Sequence, residues 1–265
     1  MLQSWVALYS SLGQTVSYKC CLIANIIFWI GSLLGFFADF LVATQGSPLL
    51  ARCKLQPHLT ISGKEKRDLI LLTCFNMTFM TFCVCCPLYE HIWSSLYEQS
   101  DNHNNRQTEK DVWNWRQEFF FKFPLHALAT ECGFYSTHYL FHHSPWLYKH
   151  IHKVHHRFQA PTAMTCVYAH PVEFAISNLL PIFLGPILTN AHPWSCYIWF
   201  AMAMFGTLKG HSGYRILGHS DYHEEHHSFY KYNYGGMKFL DYTLGTMAPS
   251  KDAKRKKNMK IKASE

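Results

Sequence analysis

Histidine is the residue this chain holds in excess, 18 in 265, and the histidines are grouped. His138 and His142 stand four apart. His152, His155 and His156 form H-x-x-H-H, and His223, His226 and His227 repeat that pattern. On a helix, residues at i, i+3 and i+4 share a face, with Cβ atoms about 5–6 Å apart. Imidazoles so spaced can reach a common metal at about 2.0–2.1 Å per bond. Two triplets and a pair supply eight nitrogens, too many for one zinc with its roughly four ligands. The set suits two metals with positions left open for O2 or water. Ligand type alone leaves iron, zinc, copper and nickel in play. Structural, neutral histidines in this number would lack partners for their ring nitrogens.

Other residues near the boxes have two readings each. His211, in KGHSGYR after the last apolar run, reads as a ninth ligand or as a structural histidine. His170 (YAHPVE) and His219 (LGHSDYH) read as ligands or as residues that orient ligand rings. Acidic partners would fix ring orientation. Glu131, Glu173 and Asp241 are the candidates, each equally readable as structural. His143 and His150 fall off the face that the boxes define and read as solvent-facing. The third box, His223-Glu224-Glu225-His226-His227, also contains H-E-x-x-H, the pattern of zinc hydrolases with Glu as general base. That reading leaves the other two boxes unexplained. A non-catalytic metal transporter would place its ligands inside crossing helices near the midplane, whereas both triplets stand among charged residues.

The elements that must carry these boxes are apolar. Charged residues make up 15% and aromatics 16%, against about 25% charged in a typical soluble domain. Residues 22–43 and 69–90 approach the roughly 20 apolar residues that span a bilayer. Residues 119–141 form a third, less pure run with Lys122, His126 and Glu131. Shorter runs follow at 172–190 and 194–208, with His192-Pro193 as a turn between them. If that pair is a hairpin, the segments before and after it lie on the same side, which brings the second and third boxes together. The loop 45–68 is rich in Lys and Arg, and so is 251–265, which by the positive-inside tendency faces both to the cytosol. The basic tail has no accompanying nucleic-acid motif and reads as solvated near a membrane surface. The Cys83/Cys86 C-x-x-C pair lies in an apolar run and reads as packing. No cleavable signal peptide is expected at the N-terminus. The expected fold is an all-α integral membrane bundle of four to five membrane helices, with a cytosolic histidine-rich helical cap holding a two-metal site. Its regions are 1–118, a membrane anchor; 119–250, catalytic; and 251–265, the basic tail.

HYLFHHSPWLYKHIHKVHH, YAHPVEFAISNLLPIFLGP, HSGY, HEEHHSFYKYNYG and LDYTLGT, in this order from Glu131 to Thr246, resemble the fatty acid hydroxylase superfamily of membrane di-iron enzymes. The first two boxes resemble its methylsterol and cholesterol hydroxylase branch. The resemblance implies His138, His142, His152, His155, His156, His211, His223, His226 and His227 as ligands of two iron ions. It implies an endoplasmic reticulum membrane, O2 as oxidant, and electrons from NAD(P)H through cytochrome b5 or a similar donor. It also implies hydroxylation of a lipid C–H bond, a sterol first, with fatty acid or sphingolipid hydroxylation or desaturation as the alternative. Glu224 stands where Asp is usual, Glu225 where an apolar residue is common, and Glu131 where Asp is usual; no ligand is lost. A lipid would enter sideways from the bilayer, past candidates Trp199, Phe200, Met202, Met204 and Phe205.

Overall fold

Apolar runs with polar flanks become long helices whose ends gather on one face. A computed structural model describes residues 15–56, 61–101, 114–158, 162–215 and 221–249. His219 and the tail 251–265 lie outside these residues.

Helix α1 (Val16–Gln45) starts at Thr15, whose hydroxyl accepts from the Tyr18 amide, and stops at Gly46, which turns left-handed at φ 58°. Short α2 (Pro48–Cys53) follows. Helix α3 runs through Gly63–Phe75, Asn76–Cys85 and Cys86–Asp101, opening with a capping box in which Ser62 and Glu65 each accept from the other's amide. Its middle stretch has wide, π-type turns. Helix α4 runs through Trp115–Gln117, Glu118–Lys122 and Phe123–His143. It ends because Ser144 is extended, the conformation a following proline favours. Helix α5 (Pro145–His150) leads into two 3₁₀ turns, His152–Arg157 and Ala163–Val167. Helix α6 comprises Pro171–Glu173, Phe174–Leu179 and Leu180–Leu188; α7 is Pro193–His211, α8 Asp221–Phe229 and α9 Lys238–Thr243. Among the described residues every regular element is helical, apart from an isolated bridge between Lys54 and Tyr214.

Among the described residues three helical stretches are long and apolar enough to cross a membrane: Val16–Gln45, Gly63–Leu96 and Pro171–Leu188. Their outward residues, including Leu33, Leu34, Phe37, Leu71, Phe79 and Leu188, are exposed and apolar, as lipid contact requires. These three fall within the expected bundle of four to five membrane helices. The runs 119–141 and 194–208 do form helices, α4 and α7, packed beside α6 and α1. The close approaches use small residues, as membrane helix packing does. A Cβ on Gly133 would stand 3.1 Å from Pro181, one on Gly31 2.6 Å from Leu208, and one on Gly185 would run into the His126 backbone. Helices α1 and α3 are antiparallel, tied by Ser17 N to Glu90 and by Asn25 Nδ2 to the Met77 carbonyl at 2.6 Å.

The segment 162–169 is not a surface loop. Met164, Cys166, Val167, Tyr168 and Ala169 are buried, so its backbone polar groups need partners. Asn76, a polar residue inside an apolar helix, supplies them: its Nδ2 donates to the carbonyls of Val167 and Ala169, both at 2.9 Å. All ten cysteines are free, and Cys83 is exposed while Cys86 is buried in the core.

Helix α6 leaves the histidine-bearing face and α7 returns to it. His192-Pro193 is the start of α7: the His192 ring caps the helix by accepting from Trp194 N, and Pro193 follows inside it. His170-Pro171 opens α6 in the same way. Of the aromatic and Met stripe on α7, Trp199, Phe200 and Met204 are buried in the core, and Met202 and Phe205 point outward.

Candidate metal centre

Among the described residues nine histidines converge on the face where α4 and α7 end, and they sort into two groups. His138, His142, His152, His156 and His226 have ring nitrogens within 4.8 Å of one another, and so do His155, His211, His223 and His227. Each H-x-x-H-H triplet is divided. His152 and His156 go to the first group and His155 to the second; His223 and His227 go to the second and His226 to the first. Spacing alone did not show this division. Residues at i and i+4 stay together, and the one between them points to the neighbouring group. The groups adjoin, with the rings of His156 and His227 4.8 Å apart and those of His223 and His226 5.4 Å apart.

Hydrogen bonds fix which ring nitrogen faces inward. The Nδ1 of His138 donates to the Tyr234 carbonyl at 2.6 Å, and that of His226 to the Tyr232 carbonyl at 2.7 Å. The Nδ1 of His155 donates to the Tyr168 carbonyl at 3.2 Å, and that of His211 to the Thr207 carbonyl at 3.0 Å. A carbonyl only accepts, so in these four rings Nδ1 carries the proton, and in the neutral ring Nε2 is a bare lone pair. The Nδ1 of His152 stands 2.7 Å from Glu173 Oε1, which orients that ring likewise.

The inner nitrogens are crowded. His142 Nε2 lies 2.7 Å from His152 Nε2, 3.0 Å from His156 Nε2 and 3.1 Å from His226 Nε2. Converging lone pairs at such distances repel unless a cation sits among them. His138 Nε2 and His211 Nε2 are buried with no hydrogen-bond partner. Orphaned acceptors of this kind call for an explanation, and a metal ion in each group supplies one. Burial pushes the pKa of His155 down to about 4. Burial first, and the neighbouring imidazoles second, hold His152, His156, His223, His226 and His227 well below the usual imidazole value. At neutral pH these rings are in the form that binds metal.

The remaining expected residues have other places. Glu131 and Asp241 are bonded to no histidine among the described residues; both hold the turn 234–237, Glu131 Oε2 accepting from Gly236 and Met237 amides and Asp241 from those of Tyr234 and Gly235. His170 caps α6 and joins neither group. His143 and His150 are exposed. Glu224 Oε1 accepts from Gln56 Nε2 at 2.8 Å. What side-chain reading missed are the main-chain carbonyls of Tyr168, Thr207, Tyr232 and Tyr234, which leave no mark on the sequence. The segment carrying two of them has left-handed backbone at Tyr230 (φ 59°) and Asn233 (φ 60°). Such conformations in non-glycine residues concentrate at functional sites.

The profile of the family described as fatty acid hydroxylase matches residues 123–246, which hold both histidine groups. Fatty acid hydroxylase domain-containing protein 2 of Homo sapiens is 31% identical over 244 residues, covering 86% of this chain and 69% of the relative. The chain belongs to the fatty acid hydroxylase family. Within the family it is also similar to a fatty acid hydroxylase of Mycosarcoma maydis, 34% identical over 79% of this chain and 52% of the relative. A Dictyostelium discoideum protein named for a methylsterol monooxygenase activity is 28% identical over 91% of this chain and 87% of the relative. No solved structure matches. Membership of this family, together with the three apolar helices, makes the chain a multi-pass membrane enzyme of the lipid hydroxylase or oxygenase class.

Proposed function

We propose that the chain hydroxylates a lipid C–H bond with O2, using two iron ions, one in each histidine group. The observation that carries this reading is the division of nine converging imidazoles, most of them buried, into two adjoining sets of inward-facing nitrogens. His138, His142, His152, His156 and His226 would hold one ion, and His155, His211, His223 and His227 the other. When bound, the pair of ions supplies O2 activation and the oxidising power for an unactivated C–H bond.

The protein's own part is preparation. The carbonyls of Tyr168, Thr207, Tyr232 and Tyr234 hold rings in one tautomer and orientation. The buried positions of His138, His152, His226 and His227 exclude water, and Tyr148, Tyr230 and Tyr234 pack against the first group. A lipid approaches from the apolar side of the helices, and electrons arrive from NAD(P)H through cytochrome b5 or a similar donor at the polar face. The basic loop after α1 shares that face, since Arg215 N donates to the Cys53 carbonyl at 2.7 Å. The positive-inside tendency then makes it cytosolic, in keeping with an endoplasmic reticulum enzyme.

A sterol is the substrate we place first, because the similarity to the Dictyostelium protein runs over nearly the whole of both chains. The Mycosarcoma relative favours a fatty acyl chain as the second reading. The test is hydroxylation by full-length protein in lipid nanodiscs, loaded with iron and supplied with O2, NADPH, cytochrome b5 and its reductase. His155→Ala and His226→Ala should each abolish product, as should chelation. Retained activity in both variants would remove the reading. Sterol and fatty acyl substrates, offered in parallel, decide between the two.

A further inference from the structure

The two histidine groups differ in what stands behind them. Behind the five-imidazole group are three buried carboxylates, Glu173, Glu131 and Asp241, each at most 2% exposed. Glu173 Oε1 meets His152 Nδ1 directly at 2.7 Å. Asp241 acts at one remove. The carbonyl of Tyr234 and the amide N–H of Gly235 belong to one peptide group; the carbonyl accepts from His138 Nδ1 at 2.6 Å, and the N–H donates to Asp241 Oδ2 at 2.7 Å. A carboxylate on the N–H side polarises the peptide and strengthens its carbonyl as an acceptor.

The rest of the turn is held by the same two acids. Tyr234 N donates to Asp241 Oδ1 at 2.9 Å, and the amides of Gly236 and Met237 donate to Glu131 Oε2 at 2.9 and 2.7 Å. Four consecutive amides thus end on two carboxylates. Asp241 also accepts from Thr246 Oγ1 at 2.7 Å and from the Tyr222 hydroxyl. Gly235 is needed there, because an added Cβ would meet Glu131 Oε1 and stand 2.9 Å from Asp241 Oδ2.

Around the four-imidazole group the described partners are of another kind. His155 and His211 lean on the carbonyls of Tyr168 and Thr207. His227 Nδ1 is buried without a partner. Among the described residues no carboxylate is paired with any of the four rings.

We propose that Glu173, acting directly, and Asp241, acting through the Tyr234–Gly235 peptide with Glu131 bracing the turn, are positioning residues for one centre alone, and that the five-imidazole centre therefore binds its metal more tightly and fills first. This rests on the two-ion reading above. A carboxylate behind a ligating imidazole raises its basicity and fixes its ring, and removing such a partner typically weakens metal binding about 10–100-fold.

The experiment is a titration of metal-depleted, full-length protein in detergent with Co(II) alone, read by visible absorption and by dialysis. The wild type should take two equivalents in two separate steps. His142→Ala should remove the first step and His211→Ala the second, which assigns them. Glu173→Gln and Asp241→Asn should each weaken the first step about 10–100-fold and leave the second unchanged. A purely structural role would lower the melting temperature and weaken both steps together, and that result overturns the proposal. Two equivalents in a single wild-type step overturn it without recourse to any variant. Fewer than two equivalents in the wild type overturn the two-ion reading and this inference with it.

Discussion

An imidazole that binds metal at neutral pH has to be unprotonated, and here burial takes care of that before any ion arrives. His155, with its pKa near 4, and His152, His156, His223, His226 and His227, also depressed, stay neutral in the fold. In the unfolded chain each would titrate near about 6.5. Between those values the unfolded state binds more protons, so the stability of the metal-depleted fold drops as pH falls. That stability is fully present above about pH 6.5 and is lost progressively as pH falls below it, the His155 share by about pH 4. Thermal unfolding of metal-depleted protein at pH 7.5 and pH 5 should show a clearly lower melting temperature at pH 5; equal temperatures would mean that the rings are not buried as described. Co(II) binding at pH 7.5 should also release little proton, measurable by calorimetry in buffers of differing ionisation enthalpy. Eight of the nine ligand candidates were legible from residue type and spacing, because few other roles absorb so many histidines, while His211 read equally as a ligand or a structural residue. Their assignment to two centres was not, since the same i, i+4 against i+3 split occurs on a 3₁₀ turn and on an α-helix and depends on how the segments pack and on carbonyls that any residue type carries.

At the scale of elements, the site depends on how closely helices approach. Gly185 on α6 lies against the backbone of His126 on α4. The same two helices carry Glu173 and the pair His138 and His142 toward the centre. Gly185→Ala should push them apart, at an overpacking cost of about 1–3 kcal/mol. A lowered melting temperature, with metal affinity falling in the five-imidazole group, is the expected outcome; an unchanged protein would show the crossing to be looser. Helix positions could be read from the apolar runs, and the hairpin of α6 and α7 from parity and the His-Pro pair. The role of Asn76 could not, because a polar residue in an apolar run reads the same whether it caps a buried segment or faces another helix.

At the scale of the whole molecule, the N-terminal helices are more than an anchor. Asp39, the one acid in the first apolar run, accepts from Tyr214 at 2.6 Å and from Lys54 at 2.8 Å beyond the end of α7. Arg157, next to the second box, bonds Asp68 on α3 at 2.9 Å, and Leu55 N donates to the Gly213 carbonyl at 2.9 Å. Expression of residues 119–265 alone should therefore give protein that neither folds nor retains metal, and co-expression of residues 1–118 should restore both. Metal analysis of the purified fragments is the check, and full metal content in the isolated fragment would contradict it. The asymmetry of the sequence, with chemistry in one half and plain apolar runs in the other, hides this dependence.

The division of each triplet has a reach of its own. One turn of 3₁₀ helix and one short α-helix each feed both pockets, so the gap between the pockets is a chord of those turns. A residue inserted or deleted inside either triplet rotates the downstream side chains by about 100° on the α-helix and about 120° on the 3₁₀ turn and misdirects nitrogens in both pockets at once. A single-ion form of this protein cannot be made by trimming a box; it has to come from exchanging individual rings.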